Sequence, residues 1–537
     1  MAALFKRVRN ACEIPEVRIL LDPPAHINCR YKIFPAASCK GKLRTYWLHA
    51  QHLCIKVTEI YPNQHITVSP KPYWKKTIFP VDVLSRGMVY FIYTMERGIG
   101  MKKVRIGVIG VGRGENMIRY CATVDNAEIV AICDHWVEGL DMMKKNMTGH
   151  DIAYYTDYDA FLKHDMDAVV LANYATEHAP FAIKALKSGK HVLSEVLPVQ
   201  TMKEAVELVE TVEETGLVYA YAENYCFMPA PREMRRLYRE GKLGEFEYGE
   251  CEYIHNCESI NPEITYGDPN HWRNNTYSTF YCTHSLGPIL HSTGLRPVSV
   301  IGMEGLKTER VRRMGRKTGC FGIEMVMLEN GGIIKSIHGG LYMNSVWYSM
   351  YGSKGRLESA REDADQDSIY RLYVNCDEYP GEYANRPAES YLVEMDENAD
   401  NFGHGGSDFY CMKHFINRLL GDENAEIIDV YEALNMSLPG MFAYRSILKG
   451  NIPMEIPDLR KKEVRDLYRN DTACTIASAA GDQLLPTCSL GTPEIEPAVY
   501  EAVRQKWLVI KARKEAKALE KEQKALAEQE QNPLRHQ

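Results

Sequence analysis

Gly110, Gly112 and Gly114 close an apolar run that begins at Val104, and a second apolar run ends twenty residues further on in an acid, Asp134. These types at this spacing suit one chemistry. A strand delivers the chain to a tight turn, and Gly110 and Gly112 let the backbone approach a pyrophosphate. The helix that follows offers its unpaired N–H groups to the phosphate charge. Asp134 can accept hydrogen bonds from both hydroxyls of an adenosine ribose and would repel a 2′-phosphate, which favours NAD over NADP. Gly114 departs from the G-x-G-x-x-G spacing by coming one residue early.

A second set of residues could move protons. His284 is the best base, because imidazole titrates near neutrality. Tyr281 lies three residues before it and would share its face on a helical turn. Tyr225 follows the sixth apolar run. A phenol serves as a base only where its surroundings lower its pKa, so catalysis and simple packing are equal readings there. His271-Trp272-Arg273 sits in a long polar loop. Aromatic–Arg clusters suit sugar rings and anions, and they also anchor surface loops. His404-Gly405-Gly406-Ser407-Asp408 reads as a capping loop before a helix, with His404 as a further sugar contact. His178 falls where a strand meets its helix and is read as lining the cofactor pocket. His255, Cys257 and Glu258 have no second ligand pair at a recognised spacing, so no metal is expected.

These residues need elements to hold them. From 101 the pattern alternates apolar runs (104–109, 128–133, 152–155, 168–172, 191–194, 217–222) with helical stretches, clearest at 177–188 and 201–215. That predicts a parallel sheet covered on both faces. Thr201 with Glu204 reads as a capping box, and Gly216 ends that helix. A helix follows from 229 to about 240. Runs at 246–254, 297–303, 321–328, 332–338, 346–351 and 356–359 read as antiparallel strands, followed by helices at 407–420 and 429–449. The expected class is α/β: a Rossmann domain over 101–225, then an α+β domain over 226–460 with an open, mainly antiparallel sheet. A tail over 461–537 carries a charged helix, read either as a solvated helix or, through its apolar stripe at 499–510, as a dimer strap.

The 537 residues suffice for two or more cores. Residues 1–100 carry 15 Lys+Arg against 6 Asp+Glu, whereas the remainder carries 49 against 65. That first stretch shows no sustained period, so it reads as a basic extension of uncertain order, with the working chain starting at Met101. An accessory domain and a targeting presequence are the alternatives. Glu13, Glu16 and Asp22 argue against the presequence. The net charge of -7 gives no reason to expect nucleic acid, and no run of 18 apolar residues marks a membrane span. Fifteen cysteines without C-x-x-C spacing suggest reduced thiols and a cytoplasmic setting.

Taken together, Gly110-Val-Gly112 with Asp134, Asn173-Tyr-Ala-Thr-Glu-His178, Ala185-Leu-Lys-Ser-Gly-Lys-His-Val-Leu-Ser-Glu195, Ala222-Glu-Asn-Tyr-Cys-Phe227 and Gly241-Lys-Leu-Gly244 form a pattern. The chain from 101 to about 460 resembles the glucose–fructose oxidoreductase / inositol dehydrogenase family (Gfo/Idh/MocA). The resemblance implies NAD as cofactor, with Arg113, Asn173, Glu195 and Asn224 joining the glycines around it. It also implies a carbohydrate substrate and a dimer or tetramer. The family's Glu-Lys-Pro is here Glu195-Val196-Leu197-Pro198, so the lysine that assists proton removal is missing. Tyr281-Cys-Thr-His284-Ser-Leu-Gly-Pro288 with His404-Gly-Gly-Ser-Asp-Phe409 is similar to the NAD-dependent α-N-acetylgalactosaminidase branch. That branch implies C3 oxidation, loss of the C2 proton, elimination, water addition and re-reduction. A net sugar dehydrogenase remains open, as does a catalytically silent NAD-binding sensor or partner subunit.

Overall fold

A computed structural model describes residues 103–305, 308–361, 369–376, 389–394, 396, 398–399 and 401–531, with three strand segments before them. The chain divides into two compact units, residues 1–101 and 102–537. In the first, β1 (Lys32–Phe34), β2 (Thr45–Ala50) and β3 (Leu53–Thr58) pair antiparallel in that order. The sequence reading expects no element there, since strands this short leave no sustained period. The rest of the predicted extension lies outside the described residues.

The second unit begins with a six-stranded parallel sheet. Its strands are β4 (Val104–Ile109), β5 (Ala127–Cys133), β6 (Ala153–Tyr155), β7 (Ala168–Leu171), β8 (His191–Ser194) and β9 (Tyr219–Tyr221), in the order β6-β5-β4-β7-β8-β9. Helices cover both faces. The inner strands are therefore mostly apolar on both faces rather than on alternate residues, as in the wholly buried β7. The strand order reverses between β4 and β7, and a crevice opens there outside the carboxyl ends of the strands. The helix Met202–Thr215 starts with the expected capping box. Thr201 Oγ1 accepts from the Glu204 N–H at 3.1 Å, and Glu204 Oε2 accepts from the Thr201 N–H at 3.2 Å.

The second sheet has nine strands: β10 (Phe246–Ile254), β11 (Pro297–Glu304), β12 (Phe321–Leu328), β13 (Ile333–Gly339), β14 (Ser345–Gly352), β15 (Gly355–Ser359), β16 (Arg371–Cys376), β17 (Glu389–Leu392) and β18 (Met454–Glu455). Their order is β17-β16-β15-β14-β10-β13-β12-β11-β18, and β10 with β13 is the parallel pair in an otherwise antiparallel sheet. The last three strands were not expected. β17 is exposed throughout and β18 is two residues long, so neither shows hydrophobic alternation. The helices Thr283–Thr293 and Val430–Leu448 pack on the sheet.

The segment beyond 460 is more than a tail. Arg465 pairs with Glu213 at 2.5 Å and Arg469 with Glu210 at 2.7 Å, which ties it to the helix Met202–Thr215. The helix Pro497–Gln531 buries Tyr500 and Val503 and sets Trp507 against Tyr266 at 5.2 Å between centroids. The stripe read as a candidate dimer strap is thus covered by its own chain at these positions.

Thr201→Ala removes one half of the capping box and should lower stability by about 1 kcal/mol. Denaturant unfolding of the protein checks this, and an unchanged midpoint would mean that the cap is dispensable.

Candidate active site

The glycine-rich turn lies in the crevice. Gly110 has φ +95°, and a side chain there would strike the Ala172 carbonyl at 2.3 Å. Gly114 allows close packing of helix on strand, because an added Cβ would meet Gly110 O at 2.4 Å and Val108 at 2.7 Å. Gly112 is different: it is exposed, and no atom lies within 4 Å of where its Cβ would be. The helix Glu115–Thr123 begins directly afterwards with no side-chain cap on its first N–H groups. Asn173 Oδ1 is buried without a partner beside this turn. Open space at Gly112, uncapped donors and one orphaned acceptor together fit a dinucleotide.

Two predicted cofactor residues are placed differently from expectation. Asp134 accepts backbone N–H groups from Val111 at 2.8 Å and Trp136 at 2.9 Å, so half of its acceptor capacity shapes the turn itself. His178 does not line the pocket. It is 1% exposed, with Nδ1 2.9 Å from Leu197 O and Nε2 3.2 Å from Asn173 O. Burial holds its pKa down to about 4, and the neutral ring braces the segment after β8. Asn224 is buried in the short turn Asn224–Phe227.

Arg113 reaches across to the second sheet's domain. It grips Asp408 through two parallel hydrogen bonds of 2.8 Å, and its Nη2 lies 2.7 Å from Glu195 Oε1. Asn116 and His404 also reach Asp408, at 2.8 and 3.2 Å. Burial pushes the Glu195 carboxyl up to about 7, although the Arg113 charge opposes the rise. His404 therefore belongs with Arg113 and Glu195, whereas the sequence reading made it a sugar contact.

His284 sits in the first turn of the helix Thr283–Thr293. Its Nδ1 is 2.6 Å from Glu223 Oε1, and both side chains are buried. Glu223 also accepts the Tyr225 N–H at 3.3 Å, and its Oε2 has no partner among the described residues. Three tyrosine rings surround the imidazole: Tyr225 at 4.5 Å, Tyr253 at 4.6 Å and Tyr281 at 5.2 Å. The local sequence explains the geometry. A side chain on Gly287 would meet Glu223 Cγ at 2.9 Å, so glycine lets the carboxylate reach the histidine. Pro288 has no N–H for the carbonyl four residues earlier. That carbonyl belongs to His284, and the Tyr348 hydroxyl donates to it at 2.5 Å from β14.

The loop His271–Arg273 flanks this group. Trp272 is buried and stacks on Tyr281 at 6.4 Å, and the Arg273 guanidinium lies 4.3 Å from the Trp272 ring and 5.5 Å from Tyr281. Trp272 also packs with Ala175 and Leu197. Cys257 lies near the same arginine. Burial alone would raise its thiol, but the His255 hydrogen bond and the Arg316, His255 and Arg273 charges outweigh it and bring it to about 6.

Sequence reasoning missed Glu223, Tyr253 and Tyr348. Glu223 had a signal, since a carboxylate one residue past a strand end in a matched segment is a natural partner for a distant imidazole. Tyr253 and Tyr348 lie within apolar strands and carried none. Among the described residues no group of three His, Cys, Asp or Glu side chains could hold a metal ion.

Comparisons agree with this geometry. Residues 104–223 match the Gfo/Idh/MocA oxidoreductase family's NAD-binding Rossmann fold, and residues 350–465 match the glycosyl hydrolase 109 C-terminal domain. Glycosyl hydrolase family 109 proteins of Solibacter usitatus and Saccharopolyspora erythraea are 27% and 26% identical over 404 and 387 residues. Each alignment takes in 67% of this chain, and 88% and 83% of the two relatives. An Agrobacterium radiobacter oxidoreductase crystallised with NAD+, L-tartaric acid and magnesium is similar at 15% identity and TM-score 0.54, over 66% of this chain and 99% of that one. Scyllo-inositol dehydrogenase from Lactobacillus casei, with NAD(H) and scyllo-inositol bound, is similar at 18% identity and TM-score 0.52, over 66% and 99%. At these identities the solved structures establish the fold, and the Rossmann domain binds NAD.

Tyr348→Phe leaves the His284 carbonyl buried and unpaired, which should cost roughly 1–3 kcal/mol of stability. Equal denaturation midpoints for the two proteins would refute that anchoring. Cys257 should be alkylated by iodoacetamide with a midpoint near pH 6, read by mass spectrometry at that residue. A midpoint at the ordinary thiol value would remove the electropositive field.

Proposed function

Starting from a Gfo/Idh/MocA NAD-binding domain joined to a glycosyl hydrolase 109 C-terminal domain, we propose that this protein is an NAD-dependent enzyme acting on a sugar or glycoside. Over a full cycle it cleaves the glycosidic bond without net oxidation. The observation that carries this reading is the buried Glu223–His284 pair, caged by three tyrosines, in a chain whose family lysine is replaced by Val196. A proton-handling group stands at the crevice where a lysine would otherwise serve.

When bound, NAD would supply reversible hydride transfer at a ring carbon, the chemistry that acidifies the neighbouring C–H. The turn at Gly110–Gly114 and the helix behind it hold the pyrophosphate. His284 removes the acidified proton. Glu223 keeps the ring in one orientation and stabilises the imidazolium that results, as a carboxylate does for a histidine base. Tyr225 and Tyr281, on two sides of the imidazole, hydrogen-bond the sugar hydroxyls and pass a proton to the departing oxygen. Arg273, stacked on Trp272, binds the substrate's outer face. His404 and Glu195 support the cofactor side through Arg113.

The same reading places the enzyme in the cytoplasm as a homo-oligomer. The eleven cysteines among the described residues are all free, which supports a reducing setting, and no described helix is long and apolar enough to cross a membrane.

His284→Ala should lower turnover of an aryl glycoside by about 10²–10⁴-fold, the usual contribution of a general base, with bound NAD unchanged. Aglycone release and NADH absorbance are followed together. Steady NADH accumulation with free sugar would make the protein a net dehydrogenase, and undiminished turnover in the variant would remove His284 from the chemistry.

A further inference from the structure

Two arginines on adjoining segments lack carboxylate partners among the described residues; the Lys317 N–H donates to Asn274 O at 3.0 Å, which sets Arg316 beside the loop that carries Arg273. Arg273 and Arg316 form no ion pair with a carboxylate among the described residues. Arg316 Nε is buried and unpaired, and Arg273 lies against Trp272 and Tyr281. Both charges act on the same two neighbours, the Cys257 thiol and the His271 ring. His271 is held down to about 4 by burial first and then by Arg273, with Arg316 adding to it and Asp268 opposing. It is therefore neutral and does not add to the charge.

The nearby carboxylates are committed elsewhere. Glu258 is taken by Arg313 at 2.6 Å, and Asp268 is exposed and accepts the Asn270 N–H at 2.8 Å. Arg310, on the same basic stretch, bonds Asn256 Oδ1 at 3.1 Å, and Lys317 bonds Asn275 Oδ1 at 2.9 Å. The Cys257 thiolate supplies one negative charge to the two half-buried guanidiniums. The positive charge left over is costly away from water, and a negatively charged ligand removes that cost. Guanidinium groups also match the paired oxygens of carboxylate, sulfate and phosphate. Tyr281 joins this basic corner to His284, since its ring is 5.5 Å from the Arg273 guanidinium and 5.2 Å from the imidazole.

We infer that the substrate pocket contains an anion subsite built from Arg273 and Arg316, and that the preferred substrate is a glycoside bearing a carboxylate, sulfate or phosphate group. This rests on the glycoside reading of the same site. Both arginines lie in residues 224–349, between the two matched family domains. Arg316 is the specificity-determining member. Arg273 serves any substrate that stacks beside Tyr281.

The test uses the full NAD-loaded protein. The specificity constant kcat/KM is measured for a neutral aryl glycoside and for its carboxylate-, sulfate- and phosphate-bearing counterparts. Calorimetric binding of the corresponding free sugars is measured in parallel. The expected result is that one charged substrate is preferred by on the order of tenfold or more, the scale of a charge-assisted hydrogen bond. Arg316→Gln should cost that substrate more than it costs the neutral one, and Arg316→Lys should restore part of the difference. Equal turnover of charged and neutral substrates overturns the inference and leaves the glycoside reading standing, as does an equal loss on both in Arg316→Gln. Loss of bound NAD in Arg316→Gln also overturns it, since the anion would then be the coenzyme's pyrophosphate. If no glycoside turns over, the functional reading fails, and calorimetry decides the subsite alone. Arg316-dependent binding of a charged sugar supports it, and its absence sinks it.

Discussion

A fully buried carboxylate dictates the centre of this molecule. Glu223 is withdrawn from water, and its side-chain hydrogen-bond partner among the described residues is the imidazole of His284 at 2.6 Å. An uncompensated ion in that position would cost several kcal/mol, so the two side chains must arrive together. Everything nearby is arranged for that meeting. β9 delivers Glu223 at its end, Gly287 leaves room for it, and the helix Thr283–Thr293 presents the ring.

A second charge contact closes the two lobes on one another. Arg113 leaves the glycine-rich turn to hold Asp408, while Glu195 at the end of β8 shares the same guanidinium. The glycine-rich turn is thus fastened to the helix Ser407–Leu419 of the other domain. Asp408 stays ionised well below the usual carboxylate range. Burial alone would raise it, and the Arg113 charge and hydrogen bonds outweigh that. Glu195 meets the same arginine through a single contact, so burial prevails and raises it to about 7. Two carboxylates on one cation are therefore driven apart, one fixed and one free to exchange a proton.

Much of this was readable from residue order. The inner strands of the parallel sheet are continuous apolar runs bounded by turns, and the capping box at Thr201 needs only residues three apart. Gly110 and Gly114 announce a turn whose reason, contact with Ala172 and Val108, becomes visible only in space. The unread part is long-range. Arg113 and Asp408 are 295 positions apart, and Glu223 and His284 are 61. No local period links such residues. His178 misled for the opposite reason: its place at a strand–helix junction suggests a pocket, but the chain after β8 folds over it. Strand β17 escaped because an exposed edge needs no apolar alternation.

The proline in the helix Thr283–Thr293 has an effect on divergence. Because it frees the His284 carbonyl for Tyr348, the imidazole is moored to β14, inside the sheet, and not to the loops that surround it. The loop around His271–Arg273 carries no part of that mooring. A chain built on the same frame can thus lengthen, shorten or recharge that loop while the imidazole stays put. Change in the one is thereby insulated from change in the other.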